Sequence, residues 1–320
     1  MKDKFFVSFS PHILGKKSVP KLMWRVFFSL IPAGVFGVII FGLKALWIIL
    51  LSIITAILTE GLIQGLAKKR ITILDGSAAL TGLLLAYNLP STVPFWIPIA
   101  GSFFAIAITK QAFGGLGRNI FNPALAGRAY LMACWPFYMT RFSLPFSVDA
   151  KTQATVLTLI KDGKIKHFSE IGLNYLDLFL GFRGGCIGEV AVLALLLGAI
   201  YLLYQRIILL HIPLSFMGSL TILSWIFDRQ GFFRGDILFS LFSGGIILGA
   251  FFMATDYVTS PLTKKGKIIF GLGCGILTFI IRRFGGYPEG VSYSILIMDA
   301  FSPLIDRLVR VKRYGEKKTT

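Results

Sequence analysis

The chain has 320 residues, of which 55% are hydrophobic and 15% are charged, and its formal net charge is +18. This composition, with 30 phenylalanines, excludes an ordinary soluble domain and predicts an integral membrane protein. The excess of basic residues does not indicate a nucleic-acid partner, because these residues lie at the ends of apolar segments, where they orient membrane proteins.

Apolar segments of roughly 20 residues, enough to cross a bilayer core about 30 Å thick, recur along the chain. We predict an all-α integral membrane protein, a single membrane domain with about ten transmembrane helices. The spans lie near residues 22–43, 45–66, 71–90, 93–111, 122–138, 185–205, 207–227, 237–258, 266–283 and 288–306. They form a first five-helix half at 1–138 and a second at 185–320, joined by a loop at 139–184.

The distribution of basic residues predicts that both termini face the cytoplasm. With the N-terminus inside, 22 lysines and arginines, including Lys110 and Arg128, lie on the cytoplasmic side and five lie in the short outer loops, as the positive-inside rule requires. The 139–184 loop then faces outward. Its six basic residues count little against this, because long loops cross largely regardless of charge.

A short internal repeat predicts that the two halves have opposite orientations. Pro90 and Phe113-Gly114-Gly115 are matched by Pro261 and Phe284-Gly285-Gly286, with 23 residues from proline to phenylalanine in each copy. Because each half contains five spans, an odd number, the second half is inverted relative to the first. Interfaces between inverted halves are where transporters place ligand and ion sites.

Glycine and proline predict broken helices in several spans. The third contains Asp75-Gly76-Ser77, the fifth opens with Asn122-Pro123, and the tenth contains Gly290 and Pro303. Such breaks free backbone groups that lipid cannot satisfy, so these segments are expected to face protein or an internal cavity.

The three cysteines, Cys134, Cys186 and Cys274, are isolated in the sequence. Their spacing does not match a zinc or iron–sulfur ligand set, so we expect no metal site.

Residues 149–157, Asp-Ala-Lys-Thr-Gln-Ala-Thr-Val-Leu, lie in the long polar stretch. Asp149, Thr152, Ala154 and Thr155 resemble the signal at which a flavin transferase attaches FMN to a threonine through a phosphoester. A covalent tether keeps an electron carrier at a membrane surface, because it makes binding intramolecular. The alternative interpretation is an ordinary solvated loop.

A run of sixteen residues, from Gly114 to Ala129, resembles the signature shared by the B subunit of the sodium-pumping NADH:quinone reductase and the D subunit of the Rnf electron-transport complex. Four other stretches agree with it: Asp75-Gly76-Ser77, Phe252 to Asp256, Tyr287 to Gly290, and Phe301 to Asp306. The chain is more similar to the Rnf protein, because its first span begins near residue 22 and the reductase protein generally has a longer N-terminal extension.

The resemblance implies a subunit of an ion-translocating electron-transfer complex in the bacterial cytoplasmic (inner) membrane, with an FMN on Thr155 on the extracytoplasmic side. It implies partners, namely the flavin transferase and the other membrane and peripheral subunits, and it implies that the chain is not catalytic alone. A second flavin, riboflavin, is expected near Arg118 and Asn122. There Asn122 is predicted to cap a helix whose positive end, near Arg128, suits an anionic group.

Four acidic residues in or near the spans, Glu60, Asp256, Asp299 and Asp306, are candidates for Na⁺ or H⁺ passage, because intramembrane acids are costly and usually functional. For those near span ends, pairing with basic residues at the interface is the simpler explanation.

Two other functions remain open at this point. A quinone-reducing subunit would keep the flavin and require a quinone pocket. A channel or transporter without a redox role would also have ten spans, broken helices and an inverted repeat.

Overall fold

The computed structural model of the protein describes residues 18–146, 152–165, 167–228, 231–286 and 289–309. Its architecture is helical, as predicted. The α-helices are α1 Val19–Phe41, α2 Leu43–Leu66, α3 Ser77–Tyr87, α4 Trp96–Phe104, α5 Pro123–Cys134, α6 Pro136–Met139, α7 Val156–Lys161, α8 Tyr175–Leu180, α9 Val192–Tyr204, α10 His211–Ile226, α11 Ile237–Phe242, α12 Ile246–Leu248, α13 Lys264–Phe284 and α14 Val291–Leu308. Two antiparallel pairs of two-residue strands join β1 Phe142–Ser143 to β2 Thr152–Gln153 and β3 Phe227–Asp228 to β4 Gly231–Phe232.

Helical segments lie at all ten predicted places, but their lengths differ from the prediction. Among the described residues, α1 and α2 are long and apolar enough to cross a membrane, and α3, α9 and α10 are shorter apolar helices. Ten membrane crossings therefore remain a prediction. The shortening follows from local breaks, which divide several apolar segments into pieces of fewer than 18 residues.

The break before α3 lies where the sequence predicts it. Gly76 has a left-handed backbone (φ 79°), between a 3₁₀ turn at Ile73–Asp75 and the first residue of α3. Asp75 Oδ1 accepts hydrogen bonds from the backbone N–H of Ser77 at 2.8 Å and from its hydroxyl at 2.6 Å. Glycine suits this position because side chains disfavour positive φ.

The end of the fifth segment and one expectation about proline need correction. The fifth segment ends at Cys134 because Pro136 cannot continue it and instead begins α6. The tenth segment is not broken: Gly290 lies before α14, and α14 runs through Pro303 as one helix. Membrane helices tolerate proline where neighbouring groups satisfy the freed carbonyl.

Two helices change to π-helical geometry. Helix α4 continues as a π-helix at Ala105–Gln111, and α12 continues as one at Gly249–Met253. π-Helical turns are rare and frequently mark functional sites.

Small residues allow α10 and α13 to pack closely. A side chain added at Gly271 would meet Ser215 Oγ at 2.0 Å, and one added at Gly275 would meet Ser219 Oγ at 1.8 Å. Helices in membranes associate through such small residues, which let their backbones approach.

The two predicted halves are in contact. Helix α9 lies against α1, where a Cβ on Gly198 would be 2.2 Å from the Ser29 carbonyl oxygen. Helix α14 likewise packs against α5. Their inverted relationship stays a prediction.

Candidate functional site

Thr155 is the N-cap of α7. Its Oγ1 accepts a hydrogen bond from the Thr158 backbone N–H at 3.3 Å and lies 2.8 Å from the Thr158 hydroxyl. The residue is only 5% exposed, so a group attached to Oγ1 requires this hydroxyl pair to open. Of the other residues in the motif, Thr152 pairs through its backbone with Ser143, and Asp149 lies outside the described residues.

The segment that carries Thr155 has a small apolar core of its own. Val156, Phe168 and Leu178 form a buried cluster that packs against Phe239 of α11. The strand pair β1–β2 closes the segment on its N-terminal side. Thr155 is therefore held by a folded unit, which differs from the solvated loop considered as the alternative.

Asp236 connects this segment to α11. Its Oδ2 accepts a hydrogen bond from the Tyr175 hydroxyl at 2.7 Å and lies 3.5 Å from His167 Nε2. The bond to the Asp236 carboxylate raises the pKa of Tyr175 to about 12, because the carboxylate stabilises the protonated phenol.

A cavity of about 600 Å³, the large cavity, lies beside α7, which supplies Leu157 and Ile160 to its wall. Six aromatic side chains line it: Phe168, Tyr175, Trp225, Phe227, Phe239 and Phe279. Three arginines also face it: Arg234, Arg282 and Arg283. Its volume lies within the roughly 300–1,000 Å³ of ligand pockets. Aromatic walls suit a planar ring, and arginines suit an anionic group.

The start of α5 is occupied by the protein's own carboxylate. Asn122 caps the helix, with Oδ1 3.1 Å from the Ala124 nitrogen and 3.4 Å from the Leu125 nitrogen. The Asn122 N–H donates to Asp299 Oδ2 at 3.0 Å. The expected anionic group at this helix end is thus Asp299.

Arg118 and Arg128 are not together at that helix end, contrary to expectation. Arg118 is exposed, whereas Arg128 is buried and turned away along α5. The Arg128 guanidinium donates to Asn88 Oδ1 at 2.6 Å and to the Glu289 carboxylate. It therefore joins segments from both halves.

A second cavity, the central cavity, has a volume of about 70 Å³ and is lined by residues of both halves, including Asn122 and Asp256. It is smaller than an ordinary ligand pocket, and Arg118 is not among the residues that line it.

Glu60 is the most completely bonded of the four candidate acids. Its Oε2 lies 2.8 Å from Lys110 Nζ, and its Oε1 accepts from the Gln111 amide at 2.8 Å and the Gln64 amide at 3.2 Å. Glu60 and Lys110 are each 1% exposed. Lys110, assigned from sequence to the cytoplasmic surface, is therefore an interior residue, and so is Arg128. The sequence signal for this interior position was a lysine within an apolar span, because such residues usually face the protein interior.

The other acids differ in their surroundings. Asp299 is buried against Asn122, and its Oδ1 has no partner among the described residues. Asp256 lines the central cavity and accepts from the Val258 N–H at 3.3 Å. Asp306 accepts from the Leu262 N–H at 3.0 Å, close to the start of α13, and is not among the residues that line the central cavity.

One buried group was missed by sequence reasoning. Ligand atoms of Cys186, Glu189 and Glu289 lie within 4.8 Å of one another. Arg128 Nη2 bonds Glu289 and lies 3.8 Å from Cys186 Sγ. The Arg128 guanidinium therefore provides a positive charge beside this cluster. The sequence hid the cluster because Glu289 lies 100 residues after Glu189 in the chain.

Comparisons with known proteins agree with the resemblance. A model of the "NQR2, RnfD, RnfE family" matches residues 6–315. The D subunit of a proton-translocating ferredoxin:NAD(+) oxidoreductase complex from Clostridium ljungdahlii is 48% identical over 324 residues, covering 99% of this chain and 98% of the relative. The D subunit of a Na(+)-translocating ferredoxin:NAD(+) oxidoreductase complex from Acetobacterium woodii is 48% identical over 314 residues, covering 98% and 96%. The D subunit of an ion-translocating oxidoreductase complex from Escherichia coli is 34% identical over 352 residues, covering 98% and 99%.

Proposed function

The chain belongs to the NQR2, RnfD, RnfE family as the D subunit of a membrane electron-transfer complex, and from this premise we propose that it relays electrons through an FMN on Thr155. In the proposed reaction a flavin transferase moves the FMN phosphoryl group from a flavin–adenine dinucleotide to Thr155 Oγ1. The pyrophosphate P–O bond of the donor breaks, an Oγ1–P bond forms, and AMP and the hydroxyl proton leave. The observation that carries the proposal is the position of Thr155 at the start of α7, whose next turn forms part of the wall of the large cavity.

FMN, when bound, supplies reversible electron transfer, and the protein's residues set its position and surroundings. In this proposal the aromatic side chains of the large cavity enclose the flavin ring and exclude water. Arg234, Arg282 and Arg283 supply positive charge beside it, which favours the reduced, more negative form of a flavin. The Tyr175–Asp236 bond holds the Thr155 segment against the start of α11.

The complex we propose is an ion-translocating ferredoxin:NAD(+) oxidoreductase in the cytoplasmic (inner) membrane, with Thr155 on the extracytoplasmic side and other subunits as partners. The relatives at 48% identity translocate different cations according to their names, H⁺ and Na⁺, so similarity alone does not select the cation. Glu60, Asp256 and Asp299, with Asp306 further along, are the proposed ion-pathway residues. A second flavin, riboflavin, near Arg118 and Asn122 stays a prediction.

In-gel fluorescence of the denatured chain, made in cells that contain the transferase, tests the flavin. We expect the wild type to fluoresce under ultraviolet light and Thr155→Ala to be dark. Thr158→Ala, which removes the neighbouring hydroxyl, is the matched control and is expected to fluoresce. A dark wild-type band would instead favour a transporter without a redox role.

A further inference from the structure

We propose that the Lys110 ammonium group is an internal substitute for the transported monovalent cation. It occupies a cation site formed by Glu60 and Ser77, and it moves to Asp256 when a cation enters. This inference rests on the proposed function, since it concerns how an ion-translocating subunit admits its ion.

The ligands around Lys110 Nζ are those of a site for a small cation. The ammonium lies 2.8 Å from Glu60 Oε2 and 2.6 Å from Ser77 Oγ. Ser77 donates its own hydroxyl proton to Asp75 Oδ1 at 2.6 Å, so the lone pairs of Ser77 Oγ are left to face the cation. A carboxylate and a hydroxyl oriented in this way offer the oxygen ligands that hard cations prefer.

The site does not depend on the lysine for its shape. Glu60 Oε1 is held by the side-chain amides of Gln64 and Gln111, at 3.2 and 2.8 Å. Gln64 is fixed in turn by Thr72, whose N–H donates to Gln64 Oε1 at 2.8 Å. The carboxylate therefore keeps its orientation when the ammonium leaves, and it then presents Oε2 to an entering ion.

The central cavity gives the lysine a place to go. Lys110, Ser77 and Asp256 all line it, so the flexible lysine side chain and a second carboxylate border the same cavity. After the exchange each carboxylate has one cation, because the entering ion lies at Glu60 and the ammonium lies at Asp256. A buried carboxylate without such compensation is strongly unfavourable.

The moving lysine and the aspartate that receives it each lie in or close to a π-helix. Lys110 lies within the π-helix at Ala105–Gln111, and Asp256 comes three residues after the π-helix at Gly249–Met253. The two π-helices belong to the first and second halves respectively. Movement of the lysine would therefore connect the two halves, as alternating access at a shared site requires.

Thermal unfolding of the full-length chain in lipid nanodiscs tests the site without any activity. All variants carry Thr155→Ala, so the presence or absence of flavin cannot affect the result. In one arm NaCl replaces choline chloride at constant ionic strength and pH 8. In the other, the pH falls from 8 to 6 in choline chloride. The variants are Lys110→Met, the double variant Glu60→Gln/Lys110→Met, and Lys44→Met, which removes a lysine bonded to the Thr92 carbonyl.

We expect Lys110→Met to gain about 3 °C in Tm at Na⁺ concentrations about tenfold above its dissociation constant. A gain in the pH arm alone would identify the proton as the occupant. The double variant and Lys44→Met should show no such gain. The proposal is overturned if Lys110→Met responds no more than the double variant in both arms.

If Lys110→Met does not accumulate in the membrane, the comparison is made between the Lys110-containing protein and the double variant at higher Na⁺ or lower pH. The protein with Lys110 and Glu60 should be stabilised and the double variant should not. Equal responses would show that the ion pair is purely structural.

Discussion

The guanidinium of Arg128, in the middle of α5, donates to the carboxylate of Glu289, two residues before α14 begins. The reciprocal contact is also made, because Asp299 in the middle of α14 accepts from the N–H of Asn122, immediately before α5. Two contacts thus join α5 and α14. In each contact, a residue in the middle of one helix bonds a residue just before the start of the other. Polar contacts of this kind fix one arrangement of two helices in an apolar environment.

Arg128→Gln should destabilise the protein by about 3–5 kcal/mol, because it leaves Glu289 buried and without its cation. The double variant Arg128→Met/Glu289→Met should recover most of that loss, since it removes both charges. Thermal unfolding in nanodiscs measures the effect, with the exposed Arg118→Gln as the control. Equal stabilities of Arg128→Gln and Arg118→Gln would show that the pair contributes little.

Gly275→Ala should cost about 1–3 kcal/mol, because its Cβ would lie 2.6 Å from the Phe216 carbonyl oxygen and would push α13 away from α10. Gly218→Ala is the matched control, since a Cβ there meets nothing within 4 Å. It should be neutral or slightly stabilising, because alanine favours helix. Equal changes in Tm for the two variants would contradict close packing of α13 against α10 at Gly275.

Asn122→Ala should weaken the start of α5 by about 1 kcal/mol, because it removes the cap that accepts from Ala124 and Leu125. Asn122→Ser should retain most of the stability, since serine caps helices about equally well. Hydrogen exchange of the first-turn amides of α5 measures the difference. Similar exchange in both variants would indicate that Asp299, rather than the cap, holds this helix end.

Tyr175 should ionise near pH 12 in the folded protein, at a higher pH than an ordinary tyrosine, because its hydroxyl donates a hydrogen bond to Asp236. Its folded pKa lies above the unfolded value of about 10. The stabilisation is therefore complete below pH 10 and is lost as the pH rises toward 12. The difference in tyrosinate absorbance between wild type and Tyr175→Phe measures this titration. A difference spectrum with a midpoint near 10 would mean that the bond is absent.

The sequence was sufficient for features that depend on local composition. Apolar runs located the helical segments, Gly76 marked the turn before α3, and Asn122-Pro123 marked the cap and first residue of α5. These features require only short-range information, because caps and turns are decided by a few neighbouring residues. The break predicted at Pro303 was wrong, because α14 continues through this residue.

Features that depend on distant contacts were not predicted. Lys110 was assigned to the surface because basic residues at span ends usually orient a helix, yet its partner Glu60 lies 50 positions earlier. Arg128 was placed beside Arg118 because they are close in sequence, whereas in the fold it meets Glu289, 161 positions later. A positive charge in an apolar segment indicates either an anchor or a buried partner, and only the packing of helices decides between them.

The intact mass of the purified chain tests the central claim most directly. In cells that contain the flavin transferase, the wild type should be heavier than its sequence by one FMN less one water, and Thr155→Ala should have its sequence mass. Thr158→Ala should carry the same addition as the wild type, because it removes only the hydroxyl that pairs with Thr155. An unmodified wild-type mass, or an FMN retained by Thr155→Ala, would contradict the assignment of Thr155 as the flavin anchor.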